Sequence, residues 1–125
     1  MAMTLSLAGR VAVVAGAGRG IGAAVAGRLA EAGAAVVDSR RDRAEATVGA
    51  IREPGGSAAP VVADLLDAQC GTQIVEQTTR LGGVDIHANV AGGSWAYAPY
   101  RRIHEATEDE WCTVSRSETR LCVVA

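Results

Sequence analysis

Short apolar runs rich in β-branched residues alternate along this chain with longer stretches of helical period. Val11 to Ala15 is an unbroken apolar run that breaks into Gly16-Ala17-Gly18-Arg19-Gly20-Ile21-Gly22. The alanine-rich segment that follows places Ile21, Val25, Leu29 and Ala32 on one face, which predicts a strand, a tight turn and a helix capped at Gly33. Ala35 to Asp38 reads as a second strand and Arg43 to Arg52 as a charged helix, followed by the loop Pro54-Gly55-Gly56. A third strand is expected over Pro60 to Ala63, ending at Asp64. Asp67 to Leu81 has helical period, with Cys70, Ile74, Val75, Thr78 and Leu81 inward and Gly82-Gly83 closing it. Val84 to Val90 reads as a fourth strand, in which His87 is an uncomfortable choice for a strand covered on both faces. After an irregular stretch from Ser94 to Ala106, Thr107 and Glu110 form a capping box. It starts a last helix with the stripe Trp111, Val114, Glu118, Leu121, Cys122 and Ala125. Such alternation predicts an α/β fold, a parallel sheet wrapped by helices, as one domain over residues 1–125.

Composition removes several classes of function. With 49% apolar and 21% charged residues, the chain has the balance of a soluble globular protein. A formal net charge of −2 gives no basic surface for nucleic acid or an anionic membrane. No apolar run approaches a membrane span, and the N-terminus lacks a charged-then-apolar signal pattern. Cys70, Cys112 and Cys122 are odd in number and scattered, which fits a reducing cytoplasm better than a disulfide framework. The cysteines and the two histidines lack metal-ligand spacing. Gly92-Gly93-Ser94-Trp95-Ala96 comes near a G-x-S-x-G nucleophile elbow, yet Pro99 follows where its helix should begin and no His/Asp order supports it.

The glycine turn is the strongest chemical signal. Gly16, Gly20 and Gly22 fit G-x-x-x-G-x-G, whereas G-x-G-x-x-G fails because Ile21 stands where its third glycine belongs. A turn of this kind between a strand and a helix suits a dinucleotide pyrophosphate: glycines let the backbone approach the anion, and the helix N-terminus offers N–H groups and a positive dipole end. It resembles the nucleotide loop of the short-chain dehydrogenase/reductase family, Thr-Gly-x-x-x-Gly-x-Gly, with Ala15 in place of the threonine. Asp64-Leu65 resembles the pair that holds the adenine ring in that family. Asn89-Val90-Ala91-Gly92 resembles its Asn-Asn-Ala-Gly, which lines the nicotinamide-ribose side of the cleft. The resemblance runs from Gly9-Arg10 to the last helix. It implies a three-layer, Rossmann-like, doubly wound parallel sheet of strand order 3-2-1-4, truncated after about four strands. It also implies cofactor contacts at Gly16, Arg19, Gly20, Ile21, Gly22, Asp64, Leu65, Asn89, Ala91 and Gly92.

The end of the second strand bears on cofactor choice. An acidic side chain there would accept from a ribose 2′-OH, while arginine pairs with a 2′-phosphate. Counting from Gly16 as the family does, the discriminating position falls on Arg40, with Arg41 next, which favours NADP. Asp38, two residues earlier, keeps NAD open as the alternative, and solvated surface charge at Arg40 and Arg41 is the third option.

Family members transfer a hydride between nicotinamide and an alcohol or carbonyl, using a serine and a Tyr-x-x-x-Lys pair. All twelve basic residues here are arginines, so these 125 residues contain no such pair. Tyr97 has Arg101 four residues on and Tyr100 has His104, but both lie in the irregular stretch, and arginine cannot shuttle a proton near neutral pH. Glu118 stands where the family usually carries an asparagine that supports a proton-relay water, on a stripe that would tend to bury it. The resemblance therefore implies an NAD(P)-dependent oxidoreductase with no catalytic residue and no turnover in this chain as it stands. The alternative is a non-catalytic dinucleotide-binding or scaffold module. In the family the last helix contributes to oligomer contacts, which leaves a homo-oligomer open.

Overall fold

A computed structural model describes residues 6–38, 41–53, 55–61, 67–92 and 102–122. The elements run β1 (Val11–Ala15), α1 (Gly20–Glu31), β2 (Ala35–Asp38), α2 (Arg41–Arg52), β3 (Ala58–Pro60), α3 (Cys70–Thr79), β4 (Ile86–Asn89) and α4 (Glu108–Cys122). A short 3-10 turn, Ile103–Glu105, precedes α4. The four strands form one parallel sheet in the order β3-β2-β1-β4, as the resemblance implied.

β1 is central because all five of its residues are apolar and buried, the signature of a strand covered on both faces. Successive side chains point to opposite faces, and two core clusters follow from that alternation. Val14 packs with Ala17, Ala26, Val36, Val48, Ile51 and Ala58 on the α1/α2 side. Val13 packs with Val61, Cys70 and Ile74 on the α3 side. These clusters make the three layers. At the amino end of β1, Asp85 takes the Val11 N–H on Oδ2 (2.9 Å) and the Arg10 guanidinium on Oδ1 (2.8 Å). It thereby fixes where β1 and β4 start relative to each other.

Several expected boundaries and faces differ. β3 covers Ala58–Pro60 rather than starting at Pro60, and pairing already begins with the Val36 N–H donating to the Ser57 carbonyl (3.0 Å). Proline cannot donate to the ladder, so it suits the end of this strand; the preceding alanines carry no β-branched signal. Ala63 and Asp64 lie outside the described residues. α2 starts at Arg41, two residues earlier than expected. α3 is shorter than Asp67 to Leu81, because Asp67 is spent on a turn in which its Oδ1 accepts the Gln69 N–H (2.9 Å). β4 is Ile86–Asn89, with Asp85 as its entry post.

Two helices bury a narrower stripe than their apolar residues suggested. In α1 the buried residues are Gly22 and Ala26, while Ile21 is 75% exposed at the first turn. Small residues let that helix sit close to the turn before it, and Ile21, one step round, points away. In α3 the line Cys70, Ile74, Thr78 is buried, while Val75 and, just past the helix, Leu81 are exposed. The buried Thr78 hydroxyl is satisfied by the Ile74 carbonyl at 2.9 Å. His87, in register with Val13, is half-buried, because β4 is the edge strand among the described residues. The Thr107 capping box forms as expected: the Thr107 N–H donates to Glu110 Oε2 (2.8 Å) and the Glu110 N–H to Thr107 Oγ1 (3.2 Å). Trp111 on the expected inward stripe is instead exposed. The side chain of Glu118 lies outside the described residues. Among the described residues no helix is long and apolar enough to cross a membrane.

Candidate functional site

The connection from β1 leads to β2 on one side, and the connection from β3 leads to β4 on the other. β1 and β4 are therefore neighbours at the point where the strand order reverses, and in open α/β sheets the carboxyl ends of the strands at such a switch point are where ligands bind. Ala15 and Asn89 stand in register at that end, and the Val90 N–H donates to the Ala15 carbonyl (3.0 Å).

Two glycines make the turn after β1 compact. Gly16 has φ +87°, and a Cβ on it would lie 2.8 Å from both the Cα and the N of Ala91. The backbone leaving β1 thus rests on the backbone leaving β4, with no room for a side chain between them. A Cβ on Gly22 would collide with the carbonyl oxygen and carbon of Gly16, so the first turn of α1 closes directly onto the bend. Gly20, at φ +54°, supplies the change of direction between them.

The backbone at the start of α1 contributes to the electrostatics of this end of the sheet. The first helical bond of α1 runs from the Ala23 N–H to the Arg19 carbonyl (3.3 Å). Arg19, the extended N-cap residue, puts no side-chain hydrogen bond on the first turn, and that turn carries no acidic residue. No carboxylate of this turn offsets the positive end of the helix dipole. Arg19 and Ile21 are exposed beside it, as are Asn89 and Gly92 at the end of β4, with Ala91 half-buried between them. A turn with no room for a side chain at Gly16 or Gly22, next to a helix N-terminus without a capping side chain, fits the pyrophosphate of a dinucleotide.

Gly16, Arg19, Gly20, Ile21, Gly22, Asn89, Ala91 and Gly92 are thus brought together at one end of the sheet. Arg41 opens α2, its side chain being outside the described residues, as are Arg40, Asp64, Leu65, Tyr97, Tyr100 and Arg101 entirely. His104 is exposed in the 3-10 turn, 3.9 Å from Glu105. No group of three metal-ligating side chains occurs among the described residues.

Sequence reasoning missed two polar contacts. Thr47 of α2 donates its hydroxyl to the carbonyl of Ala17, inside the glycine turn, at 3.0 Å. The other is the Asp85 carboxylate, which the Val11 N–H and then the Arg10 guanidinium hold below the usual carboxylate range. Only the second had a signal to find, an acid at the entry of a strand that otherwise reads as apolar.

A parallel sheet in this order, with a glycine turn and helix N-terminus at the switch point, is a Rossmann-type unit. The chain belongs to the short chain dehydrogenase family, whose model matches residues 10–117. It is 37% identical over 118 residues to versicolorin reductase stcU of Emericella nidulans, covering 91% of this chain and 43% of that protein. A crystal structure of a dehydrogenase/reductase from Sinorhizobium meliloti superposes with a TM-score of 0.84 at 39% identity, over 98% of this chain and 48% of the other. A short chain dehydrogenase from Burkholderia cenocepacia, solved in complex with NADP, gives 0.80 at 33% identity, over 95% and 49%. The chain therefore spans about half the length of the relatives it matches.

Proposed function

We propose that this chain is the dinucleotide-binding unit of a short-chain dehydrogenase/reductase, a single domain that holds NADP, with NAD as the alternative. The observation that carries the reading is the close approach of Gly16 to Ala91, with Gly22 closed beneath it, because that packing admits no side chain at Gly16 or Gly22 and keeps the turn tight at the N-terminus of α1. In this assignment the turn from Gly16 to Gly22, including Arg19 and Ile21, takes the pyrophosphate, and Asn89, Ala91 and Gly92 line the nicotinamide-ribose side. Arg40 and Arg41 take the 2′-phosphate, and Asp64 and Leu65 the adenine. The NADP found with the Burkholderia cenocepacia relative supports this cofactor. When bound, the nicotinamide would supply or accept a hydride at an alcohol or carbonyl carbon. These 125 residues contain no lysine and so no Tyr-x-x-x-Lys pair, and we assign them binding without turnover. The scattered free cysteines favour a reducing, cytoplasmic setting. Calorimetric titration with NADPH and NADH tests the reading: saturable binding, tighter for NADPH, is expected. A folded chain that takes up neither nucleotide overturns it, and robust oxidation of NADPH with a carbonyl panel overturns the absence of turnover.

A further inference from the structure

Thr47 lies in α2, thirty residues from the glycine turn in sequence. Its hydroxyl nevertheless donates to the carbonyl of Ala17, a fully buried residue one position past the bend at Gly16. The neighbours of Thr47 on α2, Val48 and Ile51, are buried in the same core cluster as Ala17 and Ala26. The apolar contacts hold α2 against α1, and the hydrophobic effect that drives them is itself non-directional. A hydrogen bond does have a direction: it fixes both the height of the helix and the orientation of the Ala17 peptide. Arg41 stands at the start of the same helix, six residues before Thr47, and Arg40 immediately precedes it in sequence.

We infer that Thr47 is a positioning residue that registers the pyrophosphate turn against the N-terminal end of α2, and so sets cofactor preference. The inference rests on the proposed function for its ligand, but the tie itself belongs to the free protein. NADPH must satisfy the glycine turn and the arginine end of α2 at the same moment. NADH, lacking the 2′-phosphate, needs only the first. A helix free to slide relative to the turn penalises the two-point ligand more than the other.

The variants are Thr47→Val, which keeps the branched shape without the hydroxyl, and Thr47→Ser, which keeps the hydroxyl. Two readouts on the full chain decide. By calorimetry, Thr47→Val should weaken NADPH about fivefold, the size of one ordinary hydrogen bond. It should leave NADH within about twofold, and Thr47→Ser should restore the NADPH affinity. Equal losses for both nucleotides, no loss, or a wild-type chain that prefers NADH overturns the link to cofactor preference. By amide hydrogen exchange on the free protein, Thr47→Val should speed exchange at the Ala23 amide, which closes the first turn of α1 onto the Arg19 carbonyl, while the β1 amides stay protected, and Thr47→Ser should not. Unchanged protection of that amide, or acceleration spread evenly through the sheet, overturns the positioning role. Should the wild type bind neither nucleotide, the proposed function falls, and hydrogen exchange alone decides the tie.

Discussion

At the scale of single residues, glycines at different places in α1 and its turn do opposite things. Gly16 combines a left-handed φ with a contact that a Cβ would turn into a clash with Ala91 backbone. Gly16→Ala is expected to lose about 2–4 kcal/mol, the strain of a left-handed residue plus the displaced backbone, read from the urea midpoint. Gly27 sits inside α1 with open space where its Cβ would be. Gly27→Ala should gain about 0.5–1 kcal/mol by the same measurement, since alanine restricts the unfolded chain and clashes with nothing. A Gly16→Ala protein as stable as wild type would contradict the backbone contact with Ala91. Gly16 was legible in the sequence because a strand-turn-helix demands glycine at its crowded positions, and the spacing with Gly20 and Gly22 shows it. Thr47 was not: its partner is thirty residues distant, and a threonine on a helix has no local mark of what it touches.

At the scale of elements, legibility depended on how much of an element's signal is local. β1 is a run of valine and alanine, β2 is Ala-Val-Val closed by Asp38, and both sit where the pattern placed them. β3 is Ala-Ala-Pro and owes its strand geometry to pairing with Val36–Asp38, which no window of sequence contains. α4 shows the division most clearly. Its start is written locally in Thr107 and Glu110, and the reciprocal bonds form; its inward face depended on tertiary packing, and Trp111 is 71% exposed. Thr107→Ala should therefore cost about 1 kcal/mol of local helix stability, since the cap accounts for one orphan N–H of the first turn. The exchange rate of the Glu110 amide should rise while the β1 amides stay unchanged. Equal protection in both proteins would mean that tertiary contacts, and not the cap, hold that end of α4.

Across the whole molecule, the sheet has a polar fastening at each end of β1, and they answer to different conditions. At the carboxyl end the Val90 N–H and the Gly16 approach hold β1 to the strand and loop of β4 through backbone alone, which has no titration. At the amino end the fastening is Asp85, which receives the Val11 N–H and the Arg10 guanidinium, and that end depends on a carboxylate staying ionised. The Val11 amide, then Arg10, lower its pKa in the folded state from the ordinary value of 3.8. Between 3.8 and that lower value the unfolded chain binds the proton more readily than the folded one, so falling pH favours unfolding. The stabilisation is thus complete above the unfolded value and is lost as pH falls through the folded one. Asp85→Asn should be less stable than wild type at pH 7, and urea midpoints should converge below about pH 3.8 as wild type loses its carboxylate. The Arg10 contact is largely solvent-exposed, so added salt should narrow the pH 7 difference only in part, leaving the amide-to-carboxylate bond. A difference that stays constant from pH 7 to pH 2.5 would mean that Asp85 acts by shape rather than charge. In that case the alignment of β1 with β4, and the site at its far end, would owe nothing to ionisation.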